Sequence, residues 1–180
     1  MNNQQIAQTL FEISELLTIK GSNPFKIRAY RNAAETITTL VDRVSEMDSK
    51  DLLSIPGIGR DLASRIQELS QTGNSAFLSE LLKDYPRSLL DVLKLQGLGP
   101  KTVALLHSTL RITNVDELER AIQTGQLNNL RGLGPKKQKL ILDAITEHRK
   151  HSGRHLATTA WSTANSVVDH LQSSHPQDRF

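Results

Sequence analysis

The chain contains no cysteine, which excludes disulfides and thiolate metal sites and fits a reducing compartment. Aromatic residues make up only 4% of its 180 residues and hydrophobic ones 37%, a poor supply for one large core and a better one for modest helical modules. No apolar run approaches the roughly 20 residues that cross a bilayer. Met1-Asn2-Asn3-Gln4-Gln5 also lacks the form of a signal peptide. The expectation is a soluble cytoplasmic protein of one domain or two small ones. Strand-type alternation is almost absent as well, so the expected fold class is all-α.

What is present is a phrase repeated three times. Ile55-Pro56-Gly57-Ile58-Gly59-Arg60, Leu95-Gln96-Gly97-Leu98-Gly99-Pro100-Lys101 and Leu130-Arg131-Gly132-Leu133-Gly134-Pro135-Lys136 share an apolar-x-Gly-apolar-Gly frame. The first glycines lie 40 and then 35 residues apart, the period of a supersecondary unit. Two glycines around one apolar residue suit a tight helix-to-helix turn, since glycine tolerates φ > 0 and close approach, and the apolar residue plugs the hairpin. The next helix starts with unpaired N–H groups and the positive end of its dipole, which favour an anion. Pro100 and Pro135 stand at first helical positions, where a missing N–H is harmless. This is the helix-hairpin-helix pattern, a phosphate clamp that reads no base sequence. Its expected DNA-phosphate contacts are Gly57, Ile58, Gly59 and Arg60; Gly97, Leu98, Gly99 and Lys101; and Gly132, Leu133, Gly134, Lys136, Lys137 and Lys139.

The net charge of +3 hides a division. Residues 1–84 hold 9 Lys and Arg against 11 Asp and Glu, residues 85–150 hold 11 against 6, and residues 151–180 hold 2 against 2. The positive surplus of a phosphate binder thus falls on the second and third repeats.

Helical spacing of Ile6, Leu10, Ile13 and Leu17 predicts a first helix, broken at Gly21-Ser22-Asn23. Pro24 opens a second through Leu40. Further helices are expected near Asp48–Ser54, Arg60–Gln71, Ala76–Lys83, Ser88–Leu95, Lys101–Leu110, Asp116–Thr124, Lys136–Lys150 and Arg154–Gln172, before a frayed tail. Asp84-Tyr85-Pro86 is the expected domain boundary, because proline ends a helix and the charge changes sign there. The expected layout is two small helical domains carrying three helix-hairpin-helix motifs, residues 1–84 and 87–150, with a C-terminal helix and tail at 151–180.

Asn23-Pro24-Phe25-Lys26-Ile27-Arg28-Ala29-Tyr30-Arg31-Asn32-Ala33-Ala34, with Ile55-Pro56-Gly57-Ile58-Gly59 after it, resembles the N-terminal lyase-type domain of family X DNA polymerases, the bacterial and archaeal members above all. The likeness runs over about residues 5–172, through the family's duplex-binding segment. It implies DNA as partner, as duplex, gap or nick, and no membrane, with the chain as a monomer. It also implies a 5′-phosphate pocket at Lys26, Tyr30 and Arg65, although a solvated basic face beside a core tyrosine accounts for the first two equally well. Na⁺ or K⁺ is implied on hairpin carbonyls when DNA is bound: Leu53, Ile55 and Ile58 in the first hairpin, Leu93, Leu95 and Leu98 in the second. No other cofactor is expected.

Two departures bear on activity. The family's Schiff-base lysine lies six residues past the second glycine, where this chain has Arg65, and a guanidinium does not release a proton near neutrality. Asp61 and Phe77 stand where the family carries basic residues, and Asp61 either repels a phosphate or simply complements the helix dipole. No Asp-x-Asp pair occurs in the chain to hold the two metal ions of nucleotidyl transfer. No residue is therefore assigned a catalytic role. An abasic-site lyase using a displaced lysine, Lys20 or Lys83, and a protein-interaction module are the competing readings. His148, His151 and His155 read as a solvent-facing cluster rather than a metal site, and Trp161 as packing.

Overall fold

The protein is described by a computed structural model over residues 1–150. The expected helix Arg154–Gln172, with Trp161, His151, His155 and the tail, lies outside the described residues. Among the described residues there is no strand, as the all-α expectation requires. The helices are α1 (Asn3–Lys20), α2 (Pro24–Thr39), α3 (Ser49–Ser54), α4 (Arg60–Thr72), α5 (Ala76–Asp84), α6 (Ser88–Leu93), α7 (Pro100–Leu110) and α8 (Val115–Gln123), with a 3-10 turn at Val44–Glu46. A further helix, α9, covers 135–150.

Local sequence accounts for most of these limits. Asn2 caps α1 by accepting the Gln5 N–H at 2.8 Å, while the Gln5 side chain accepts the Asn2 N–H at 2.9 Å, a reciprocal capping box. Gly21, at φ 71°, stops α1 in the left-handed region. Asn23 then caps α2 ahead of Pro24, and Gly73, also at φ 71°, ends α4.

The chain forms two compact units, one of Met1–Lys94 with Leu98–Gln126, the other of Leu95–Gly97 with the chain from Leu127. In the first unit α1 is the central element, and it packs against α2, α4, α5 and α7. Its Ile6, Leu10, Ile13 and Leu16 are fully buried, each contributing about 1.5–3 kcal/mol on removal from water. Tyr30, Ala33 and Ile37 of α2 and Leu62, Ile66 and Leu69 of α4 complete this core.

The break at Asp84-Tyr85-Pro86 ends α5, yet the chain continues into α6, α7 and α8 inside the same unit. His107 of α7 explains part of this. One ring nitrogen lies 2.9 Å from the Asp84 carbonyl, the other 3.1 Å from the Ile112 carbonyl, and the ring meets that of Tyr85 in a tilted contact, 5.6 Å between centres. Arg87, just past the break, pairs with Glu12 on α1. A proline therefore ends the helix without detaching α6, α7 and α8 from it. Replacing His107 with Ala should lower stability by about 1–2 kcal/mol, measured by urea unfolding. A loss below a few tenths would show that the junction is held by apolar packing alone.

Candidate nucleic-acid interface

The three glycine corners share one backbone geometry. The first glycine of each is left-handed, Gly57 at φ 87°, Gly97 at φ 87° and Gly132 at φ 83°. The second is not: Gly59 at φ −89° and Gly99 at φ −103° are extended and serve as N-caps of α4 and α7. The glycine requirement is thus conformational at the first position only. The corner registers also agree, because Ala63, Val103 and Gln138 each donate their N–H to the second glycine's carbonyl, at 2.9, 3.0 and 3.0 Å. The plugs Ile58, Leu98 and Leu133 are buried to 4%, 7% and 1% exposure. Their side chains are therefore core, and they reach a ligand through backbone alone. Even that is restricted, since the Ile58 and Leu133 N–H groups close their own turns onto the Ile55 and Leu130 carbonyls, both at 3.1 Å.

The flanking amides are different. Helices α1, α2, α5 and α8 all begin under a side-chain cap, from Asn2, Asn23, Ser75 and Asn114 respectively. Helices α4 and α7 begin on glycine with none, as does the six-residue α6 on Arg87. The N–H groups of Gly59 and Arg60, of Gly99 and Lys101, and of Gly134 and Lys136 have no acceptor among the described residues. Both glycines of every corner are exposed, as are Arg60, Lys101, Lys136 and Lys139, and Lys137 is half-buried. Each corner is accordingly a set of outward amides at the positive end of a helix with a cation beside it, an arrangement suited to a phosphate oxygen. Arg131, exposed within the third corner, adds a charge that the motif frame alone did not single out.

The candidate cation carbonyls lie at the same corners. Leu53 is in α3 and 44% exposed, Leu93 ends α6, and Leu95 is buried. The Ile55 carbonyl already accepts the Ile58 N–H, leaving it one free lone pair. Neutral carbonyl oxygens of this kind suit a hard monovalent ion. Among the described residues no cluster of His, Asp and Glu could hold a metal.

Lys26, Tyr30 and Arg65 do come together, around Phe77. The Lys26 ammonium is 4.6 Å and the Arg65 guanidinium 4.9 Å from the Phe77 ring centre, and the Tyr30 ring is 5.9 Å away. The cluster is neutralised from within. The buried Tyr30 hydroxyl donates to Asp61 at 3.1 Å, and Arg65 lies 3.7 Å from Asp61 and 3.5 Å from Glu68. Asp61, whose role the sequence left open, is thus the acceptor for Tyr30 and an ion-pair partner of Arg65, whose Nε has no hydrogen-bond partner. Burial, and then the Asp61 carboxylate, push the Tyr30 hydroxyl up to about 12.

This shift has a definite sign. The fold favours the neutral phenol, so its contribution to stability is full below pH 10, the ordinary tyrosine value, and is lost as the pH rises toward 12. Asp61→Asn should move the Tyr30 midpoint from about 12 toward 10 in a phenolate absorbance titration. An unchanged midpoint would assign the whole shift to burial. At the corners, Gly97→Ala should cost about 1 kcal/mol or more from its φ alone, since the nearest atom to the new Cβ, a Leu140 methyl at 2.9 Å, ends a half-exposed side chain that can swing away. Thermal unfolding would measure it, and an unaltered midpoint would refute the conformational requirement.

Similarity to known proteins agrees with this geometry. A helix-hairpin-helix domain profile matches residues 1–75, and a SAM-like helix-hairpin-helix tandem matches residues 89–147. The chain is also 34% identical over 171 residues to the DNA polymerase/3'-5' exonuclease PolX of Bacillus subtilis (strain 168). That alignment covers 95% of this chain, which spans 30% of the relative's length. The chain thus carries two helix-hairpin-helix regions in tandem and is similar, along nearly its whole length, to a part of that polymerase.

Proposed function

We propose that this chain binds DNA through its phosphate backbone, without preference for base sequence, as the DNA-gripping part of a family X polymerase-like repair protein. One observation carries the reading: the glycine corners open the long helices α4 and α7 with bare amides, whereas α1, α2, α3, α5 and α8 are capped by side chains and, beside the corners, only the six-residue α6 among α1–α8 also starts uncapped. An uncapped helix end normally loses about 1 kcal/mol. Leaving two of them open is consistent with an anion taking the cap's place.

Under this reading the chain acts as a monomer in the cytoplasm, on gapped or nicked duplex of the kind met in base-excision repair. Na⁺ or K⁺ would be held by the first two hairpins, on the carbonyls of Leu53, Ile55 and Ile58 and of Leu93, Leu95 and Leu98, and would screen the approaching phosphate. The Lys26–Tyr30–Arg65 cluster would touch a 5′-phosphate only weakly, because Asp61 already engages Tyr30 and Arg65. Lyase chemistry has little support. Arg65 offers no neutral amine, and the Lys83 ammonium is paired with Glu80 at 2.6 Å, which raises its pKa when a Schiff-base lysine needs the reverse.

Binding should fall in the micromolar range. Neutralising about four phosphates implies a slope of log affinity against log salt near −3 to −4. The double variant Lys136→Ala, Lys137→Ala should weaken every duplex alike and flatten that slope by about 1–2. Unchanged affinity would place the grip elsewhere. Asp61→Asn should increase the preference for a 5′-phosphorylated gap over a 5′-hydroxyl gap by about three- to tenfold. If both gaps bind the variant equally, the cluster is a purely structural ion pair.

A further inference from the structure

The three corners match in glycine geometry and hydrogen-bond register, but differ one turn into the helix that each one opens. Four residues past the second glycine the first corner has Ala63 and the second Val103, both apolar and buried. The third has Gln138, one of the few buried polar residues of the described chain, at 8% exposure. Its amide nitrogen donates to the carbonyl of the plug Leu133 at 2.7 Å and to the Asn128 side-chain oxygen at 3.2 Å. The Asn128 oxygen, an acceptor only, fixes which end of the Gln138 amide faces the corner. Neither alanine nor valine can make such a bond, so the equivalent carbonyls, Ile58 and Leu98, receive no donor from that position.

Leu133 is 1% exposed, and a carbonyl held in such surroundings without a partner is costly. At the first two corners that partner can come from outside, and a monovalent cation is the proposed one. We propose that Gln138 is an internal substitute for that cation, a positioning residue whose side-chain amide sets the third corner in its DNA-ready shape with no ion bound. The inference rests on the DNA-binding reading only for its consequence. The corner itself is tested without DNA.

Three features support the substitution. The donor N–H carries partial positive charge and points at the same kind of oxygen an ion would meet. The side chain is buried and oriented by a second bond, so little freedom is lost when DNA arrives. The third corner is also the one with the most cations of its own, Arg131, Lys136, Lys137 and Lys139, where an added ion would be repelled. A chain built this way has two corners that answer to the monovalent ion present and one that does not.

The experiment compares amide NMR spectra of the intact chain and its Gln138→Met variant, in potassium chloride and in tetramethylammonium chloride at equal ionic strength. Methionine keeps the volume and removes the donor. In the wild type, the amides of Gly132, Leu133, Gly134 and Lys136 should have the same shifts in both salts. In Gln138→Met they should become salt-dependent, and their hydrogen exchange should speed up by about three- to tenfold. Gln138→Lys, whose ammonium is a tethered cation, should restore indifference to the salt. Should Gln138→Met fail to fold, Asn128→Ala, which only frees the amide to turn, should give the same salt dependence in weaker form. Wild-type shifts at the third corner that vary with potassium, or a methionine variant indistinguishable from wild type, would overturn the proposal. Affinity for a plain duplex in the two salts is then the separate arm. If no variant binds DNA while the NMR differences hold, the DNA reading fails and the role of Gln138 stands.

Discussion

The structure depends on a single exchange at each glycine corner. An apolar residue between two glycines goes into the core, which requires a backbone bent so sharply that only glycine accepts its first position. The same bend makes the next helix start at the surface with its amides pointing outward. Ile58, Leu98 and Leu133 are thus the anchors of the interface although nothing outside can touch their side chains. Losing a plug would release the turn, and with it the alignment of amide, dipole and cation that makes the corner attractive to an anion.

Much of this is written locally in the sequence. The corners, the helices, the helix-stopping glycines and the buried apolar positions are set by residue type and spacing over a few positions, and among the described residues they lie close to where the pattern puts them. What escapes the sequence depends on meetings between distant residues. Tyr30 and Asp61 are 31 positions apart, and only the packing of the first unit's core reveals that a carboxylate engages the tyrosine and arginine of the supposed phosphate pocket. The proline at position 86 has the form of a boundary, but a histidine 21 residues further on ties across it. The Gln138 bond is of the same class. Its signal in the sequence is one polar residue where the two sister repeats have apolar ones, visible only when the repeats are set side by side.

The likeness to a family X polymerase and the state of the Arg65 cluster fit together physically. A pocket made of a lysine, a tyrosine and an arginine is electrostatically open to phosphate until a carboxylate enters it. Here Asp61 and Glu68, both on α4 with Arg65, offset the guanidinium charge from its own helix, although its buried Nε is left without a hydrogen-bond partner. The pocket residues are present while their charge is largely neutralised, and the positive surplus lies in residues 85–150. The proposed grip accordingly rests on the corners rather than on a strand end.

Pro100 and Pro135 bring a last difference between those corners. Where the helices after the second and third corners start on proline, the one after the first starts on Arg60, which keeps its backbone proton. The first corner consequently offers an additional short-range, directional contact and has few cations beside it in sequence. The other two surrender that contact and carry diffuse attraction instead. Directional contacts are exacting about the position of the group they hold, and diffuse ones are forgiving, so on the proposed DNA-binding reading the arginine corner would fix register while the lysine corners would tolerate a strand that slides.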